Sequence, residues 1–178
     1  PSSAVPSALH FISQHDTNNE QCRTAHHHHS ISGDILLGCN DGMKTYSRQS
    51  GELTHVVSYP AAIVTEYRDE VFISSWRSSE EAVKVYKYDM NSKSSEMLFS
   101  FPQKSDLASY LSVSAQYIAV IDKDNYNMKL YNRKSASVST KQLSGLKQVN
   151  NILFLPDGCL MVTRSEEHTS ELQSRETI

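Results

Sequence analysis

An apolar residue, a lysine, a variable position and a tyrosine recur three times in this chain. The copies are Met43-Lys-Thr-Tyr46, Val83-Lys-Val-Tyr86 and Met128-Lys-Leu-Tyr131, 40 and then 45 residues apart. A fixed period constrains a fold more than composition does, because each repeat must be one supersecondary unit that buries its apolar faces against its neighbours. Each copy follows a second apolar run: Ile35-Leu-Leu-Gly-Cys39, Val71-Phe-Ile-Ser-Ser75 and Ile118-Ala-Val-Ile-Asp122. A further run, Leu160-Met-Val-Thr163, has no tetrapeptide after it. The runs are short and rich in β-branched and aromatic residues, and turn residues such as Ser32-Gly33, Arg68-Asp69 and Asp157-Gly158 precede them. They read as strands joined by hairpins.

A third element precedes each pair, in Ala62-Ile-Val-Thr65, Tyr110-Leu-Ser-Val113 and Asn151-Ile-Leu-Phe-Leu155. A fourth follows, in Leu53-Thr-His-Val-Val57, Glu96-Met-Leu-Phe99 and Val138-Ser-Thr-Lys-Gln-Leu143. Four short strands in a unit of about 40 to 45 residues is the period of a β-propeller blade. No window keeps the 3.6-residue apolar rhythm that a helical solenoid requires. The expected fold class is therefore all-β: an open, incomplete β-propeller of about three four-stranded blades plus the start of a fourth. The blades fall at about residues 26–58, 61–101, 107–144 and 149–163. Such an array does not close into a ring, so an open wedge with uncovered apolar faces and strand edges is expected.

The third unit, Ile118-Ala-Val-Ile-Asp-Lys-Asp-Asn-Tyr-Asn-Met-Lys-Leu-Tyr131, resembles an NHL-type propeller repeat. Asp122, Asn125, Met128, Leu130 and Tyr131 fall on positions of that pattern. The fourth unit opens in the same style with Leu155-Pro-Asp-Gly158, whereas Cys39 and Ser75 stand where the first two units should carry an aspartate. The resemblance, to the propellers of tripartite-motif/NHL proteins, implies a module that binds partners through its loops.

The ends differ from the body. Residues 1–25 are polar and read as a linker or the remnant of a preceding blade. Residues 164–178 interrupt the fourth blade with "RSEEHTSELQS", which resembles the in-frame translation of a sequencing-library adapter. A non-native tail, disordered or helical, is expected there. It carries Glu166, Glu167, Glu171 and Glu176 against Arg164 and Arg175, and so most of the formal charge of -3. The near-neutral remainder gives no reason to expect DNA or a membrane surface as partner. Cys22, Cys39 and Cys159 are an odd, widely spaced set without a C-x-x-C pair, which argues against a disulfide framework and favours a cytoplasmic location.

Three features invite functional readings, each with a plainer rival. Asp122-Lys-Asp124-Asn125-Tyr126-Asn127 offers oxygen ligands for calcium, but the twelfth position is Arg133 and Asp122 is expected instead to hold its own turn. His26 to His29 could chelate a transition metal, yet reads better as a polar outer strand or loop. Lys44, Lys84 and Lys129 with their tyrosines could form an RNA-binding ring, but a repeated residue in a repeat protein more often serves packing.

No G-x-S-x-G, P-loop, G-x-G-x-x-G or H-E-x-x-H sequence is present, and nothing fixes His55 with Asp69, or His10 with His15, as an acid–base pair. No catalytic residue, metal ligand or cofactor site is assigned. The expected role is a non-enzymatic, protein-binding scaffold propeller, with an RNA-binding NHL-type propeller or a lactonase-like hydrolase with a central metal as alternatives. The expected contact residues are Asn40, Asp41, Trp76, Arg77, Lys123, Asp124, Asn125 and Tyr126. Trp76, read as part of a long hairpin loop, would either anchor a partner or close that loop onto the next blade.

Overall fold

The structure is a computed structural model that describes residues 22–27, 34–77, 79–104, 110–143, 149–164 and 175–176. All regular structure among them is β. The first sheet holds β1 (Cys22–His27), β2 (Ile35–Cys39), β3 (Gly42–Tyr46) and β4 (Leu53–Val57). The second holds β5 (Ile63–Tyr67), β6 (Glu70–Arg77), β7 (Ala82–Asp89) and β8 (Ser94–Pro102). The third holds β9 (Leu111–Val113), β10 (Tyr117–Asp122), β11 (Asn127–Asn132) and β12 (Ser137–Gln142). The fourth holds β13 (Val149–Phe154), β14 (Leu160–Arg164) and β15 (Arg175–Glu176). Every strand pairs antiparallel with its successor within the sheet, so each sheet is an up-and-down meander. The first strands β1, β5, β9 and β13 lie beside one another along the inside of the array.

Strand alternation explains why the sheets stack. On β10, Ile118 and Val120 face the second sheet, and Ala119 and Ile121 face the fourth; all four are fully buried. A strand covered on both faces must be apolar at consecutive positions, which is why this run reads Ile-Ala-Val-Ile. Three apolar clusters follow, each between two neighbouring sheets. Leu36, Met43 and Val57 meet Val64, Val71 and Ile73 between the first and second. Phe72, Val85, Phe99 and Phe101 meet Leu111, Ile118 and Tyr131 between the second and third, where the Phe99 and Tyr131 rings stack at 5.1 Å. Met128, Leu130 and Leu143 meet Val149, Ile152, Leu160 and Val162 between the third and fourth. The core is thus divided among the interfaces, as in repeat architectures whose units contact only their neighbours.

Three expectations are corrected. Cys22 and Cys39 form a disulfide, leaving Cys159 free. They are distant in sequence, but the β1–β2 register sets Cys22 directly opposite Cys39. The intracellular expectation rested on unpaired cysteines and loses that support. His26 and His27 belong to β1, an inner strand rather than an outer one, opposite Leu36 and Ile35; His28 and His29 lie outside the described residues. In the tail, Arg175 and Glu176 are neither helical nor disordered but pair with Met161 and Leu160 on β14. Residues 1–21, most of the expected linker, lie outside the described residues, as do Ser32 and Gly33. Among the described residues no helix is long and apolar enough to cross a membrane.

Candidate functional site

Meander geometry sorts the connections onto two ends. The turns from second to third strand, at Asn40-Asp41, after Arg77 and at Lys123–Tyr126, share one end with the ends of β4, β8 and β12 and the starts of β5, β9 and β13. All eight expected contact residues therefore lie on or beside one end, although they span the chain from 40 to 126.

The first hairpin turns on Gly42. Its φ is 148°, and a Cβ there would meet the Val57 carbonyl oxygen at 1.7 Å, so no other residue fits without moving the backbone. Asn40 and Asp41 are exposed at the tip. The Asp41 carboxylate pairs with Lys44 at 2.8 Å, and the hydrogen bond and charge of that lysine hold its pKa below the ordinary value despite some burial. His55 Nε2 lies 3.1 Å from the Asp41 carbonyl oxygen, so this histidine braces the hairpin rather than meeting Asp69.

In the second sheet Trp76 and Arg77 are strand residues, opposite Val83 and Ala82, and the hairpin is shorter than the sequence suggests. Trp76 is half-buried against the interface of the second and third sheets, and its indole N–H donates to the Gln103 carbonyl oxygen at 3.0 Å. It ties the end of β6 to the residue that follows β8 in the same sheet. Ser79, Glu80 and Glu81 are exposed in this hairpin, with Glu80 paired to Lys84.

The third hairpin is held by Asp122, which is almost fully buried. Its Oδ1 accepts the amides of Asp124 and Asn125 at 3.1 and 3.3 Å, and its Oδ2 accepts Asn125 Nδ2 at 3.1 Å. Lys129 Nζ approaches Oδ2 to 3.9 Å. The carboxylate therefore holds its turn, as aspartates at such positions do. Tyr126 completes the turn with φ of 51°, half-buried. Lys123 reaches across to the fourth sheet: its Nζ donates to the Val149 carbonyl at 3.0 Å and lies 4.0 Å from the Tyr110 ring centroid. Burial lowers its pKa below that of a free lysine.

The second and third hairpins are laced together. Gln103, fully buried, receives the Trp76 indole on its carbonyl, donates its amide to the Glu81 carbonyl at 2.8 Å, and accepts the Lys123 amide on Oε1 at 3.0 Å. The Lys104 amide donates to Asp124 Oδ2 at 2.5 Å. On the first interface the Ala61 amide donates to the Cys39 carbonyl at 2.9 Å. The result is a braced end of the array whose exposed groups include Asn40, Asp41, Glu80, Glu81, Lys104, Asp124 and Asn125. Sequence reasoning missed Gln103, which sits in no motif.

The repeated lysines share one arrangement. Each sits between or beside sheets and meets a carboxylate at its own hairpin: Lys44 with Asp41, Lys84 with Glu80, Lys129 with Asp122. Two of their tyrosines stack, Tyr86 on Tyr59 at 4.4 Å and Tyr131 on Phe99.

No protein-family model matches this sequence, and no curated protein matches it. Solved structures do. Virginiamycin B lyase from Staphylococcus aureus superposes with a TM-score of 0.60 at 10% identity, covering 85% of this chain and 51% of that one. The Cps50 (Swd1) β-propeller domain of Myceliophteria thermophila gives 0.58 at 13% identity, covering 82% and 51%. Regucalcin of Agrobacterium tumefaciens, described as a calcium-binding protein, gives 0.58 at 12% identity, covering 78% and 52%. The chain spans about half the length of these structures. At such identities the likeness is one of fold, and the neighbours include enzymes and a propeller domain alike. The fold of this chain is that of a β-propeller, present as an open and incomplete array of blades.

Proposed function

We propose that this chain is part of a non-enzymatic propeller module of NHL type that presents its hairpin platform to a protein partner. The observation that carries this reading is that Gln103 ties the end of β6 and the second hairpin to the third hairpin. A platform braced in this way holds exposed groups in fixed relation, and preorganisation reduces the entropy lost on association. The lysines that an RNA-binding surface would use meet carboxylates instead. Carrying over the calcium named for regucalcin, or a lactonase-like metal, would draw on Asp122, whose two oxygens already accept bonds within the turn.

The test is capture of protein partners by the full chain and by a variant carrying Asp41→Ala, Glu81→Ala and Asn125→Ala. Equal folding of the two is checked by circular dichroism. The proposal expects the variant to lose at least tenfold in capture; unchanged capture rejects it.

A further inference from the structure

The opposite end of the array holds a cleft of about 630 Å³ among the first hairpins of the second, third and fourth sheets. That size falls within the range of small-molecule sites. Three aromatic side chains from three successive hairpins line it: Tyr67, Tyr117 and Phe154, each half-buried. Their recurrence follows from topology, since each stands where an inner strand passes into the next one.

The lining carries two charged side chains on different walls, Arg68 and Asp157, both exposed. The Arg68 guanidinium lies 5.3 Å from the centroid of the Tyr67 ring, and the residue is exposed. That ring is its charged group's contact among the described residues, with no carboxylate paired to it. Arg133 lies on the same ring at 5.5 Å, but it is bonded to Glu70 and to the Ser114 carbonyl. On the other walls Gln116 Nε2 donates to the Tyr117 hydroxyl at 3.3 Å, and the exposed Asp157 accepts the Cys159 amide on one carboxylate oxygen at 3.0 Å. Arg68 and Asp69 form a two-residue turn with φ of 49° and 65°. Asparagine and glycine are the usual residues of such a turn, so an arginine is held there at a conformational cost.

We propose that this cleft is a small-molecule site for an aryl carboxylate. The flat apolar body packs against Tyr67, Tyr117 and Phe154, where offset stacking is favourable. The carboxylate pairs with the planar fork of Arg68, whose five donors match it bidentately. The site lies at the end of the array away from the hairpin platform and does not depend on it.

The probe is benzoate, titrated into the full chain and followed by saturation-transfer NMR, with benzyl alcohol and cyclohexanecarboxylate as comparisons. Saturable benzoate binding is expected, with benzyl alcohol at least tenfold weaker for want of the charge and cyclohexanecarboxylate severalfold weaker for want of the ring. Arg68→Gln should weaken benzoate about tenfold, and Arg48→Gln, on an exposed turn of the first sheet, should leave it unchanged. Should Arg68→Gln fail to fold, Arg68→Lys keeps the charge without the fork and should lose about threefold. Absence of saturable binding, equal binding of benzyl alcohol, or no loss in the Arg68 variants overturns the proposal.

Discussion

The side-chain oxygen of Gln103 accepts the backbone amide of Lys123 at 3.0 Å, joining the end of the second sheet to the hairpin of the third from a fully buried position. A buried amide left without a partner costs more than the bond itself contributes. Gln103→Ala also leaves a cavity. The variant should lose about 2–4 kcal/mol of stability, measured as a fall in urea midpoint. Trp76→Phe, which keeps the ring but removes the indole N–H, should lose only about 1 kcal/mol.

Gly42 makes a sharper prediction. Its left-handed φ and the Val57 carbonyl 1.7 Å from a notional Cβ leave no room for a side chain. Gly42→Ala should lose at least about 3 kcal/mol, a size associated with backbone strain added to steric overlap. Gly158→Ala is the control. Its φ of 83° carries the conformational cost, but nothing lies within 4 Å. It should lose roughly 1 kcal/mol.

Glu70 governs the pH dependence of the second interface. Burial raises its pKa, but the hydrogen bonds and charges of Lys87 and Arg133 outweigh burial and leave it below the ordinary carboxylate value. A carboxyl whose folded pKa is depressed contributes stability that is present above its unfolded pKa and lost as pH falls through the folded value. Glu70→Gln should therefore cost on the order of 1 kcal/mol at pH 7 for so partly exposed a network. The difference between the variant and the parent should shrink as the pH drops below about 4. Thermal unfolding of both proteins at several pH values measures this, and a gap that widens on acidification contradicts it.

The disulfide closes a segment with a sequence separation of 17. Cross-links of that span stabilise by about 3 kcal/mol in the chain-entropy account. Reduction should lower the unfolding midpoint of the parent, and Cys22→Ser should abolish that response. An unchanged midpoint on reduction of a verified disulfide contradicts the assignment of a structural role.

Most of the strand order was legible because every blade strand obeys a local rule. Ile118-Ala-Val-Ile is apolar throughout because sheets cover it on both sides, while Ser137–Gln142 is polar because it is an outer strand with exposed positions. Turn chemistry was equally local, and Asp122 holds its turn as its spacing to Asn125 implied. What escaped depends on register and on contacts between sheets. Cys22 meets Cys39 only through strand pairing. Trp76 looked like a loop residue because β6 and β7 run past the point where the other hairpins turn. Gln103 and Arg133 are polar residues outside any motif, and their side-chain partners lie 19 to 63 residues away.

The platform at the hairpin end is the central claim, and site-specific photo-cross-linking tests it most directly. A photoreactive residue is placed singly at Asn40, Glu81 or Asn125 on that end, and at Arg48, Asn91 or Ser135 on turns of the other. All six positions are exposed, so each variant should fold like the parent. Cross-links to a common protein partner should form from the first three positions and not from the second three. Cross-linking from the second set alone, or equally from both, would contradict the account.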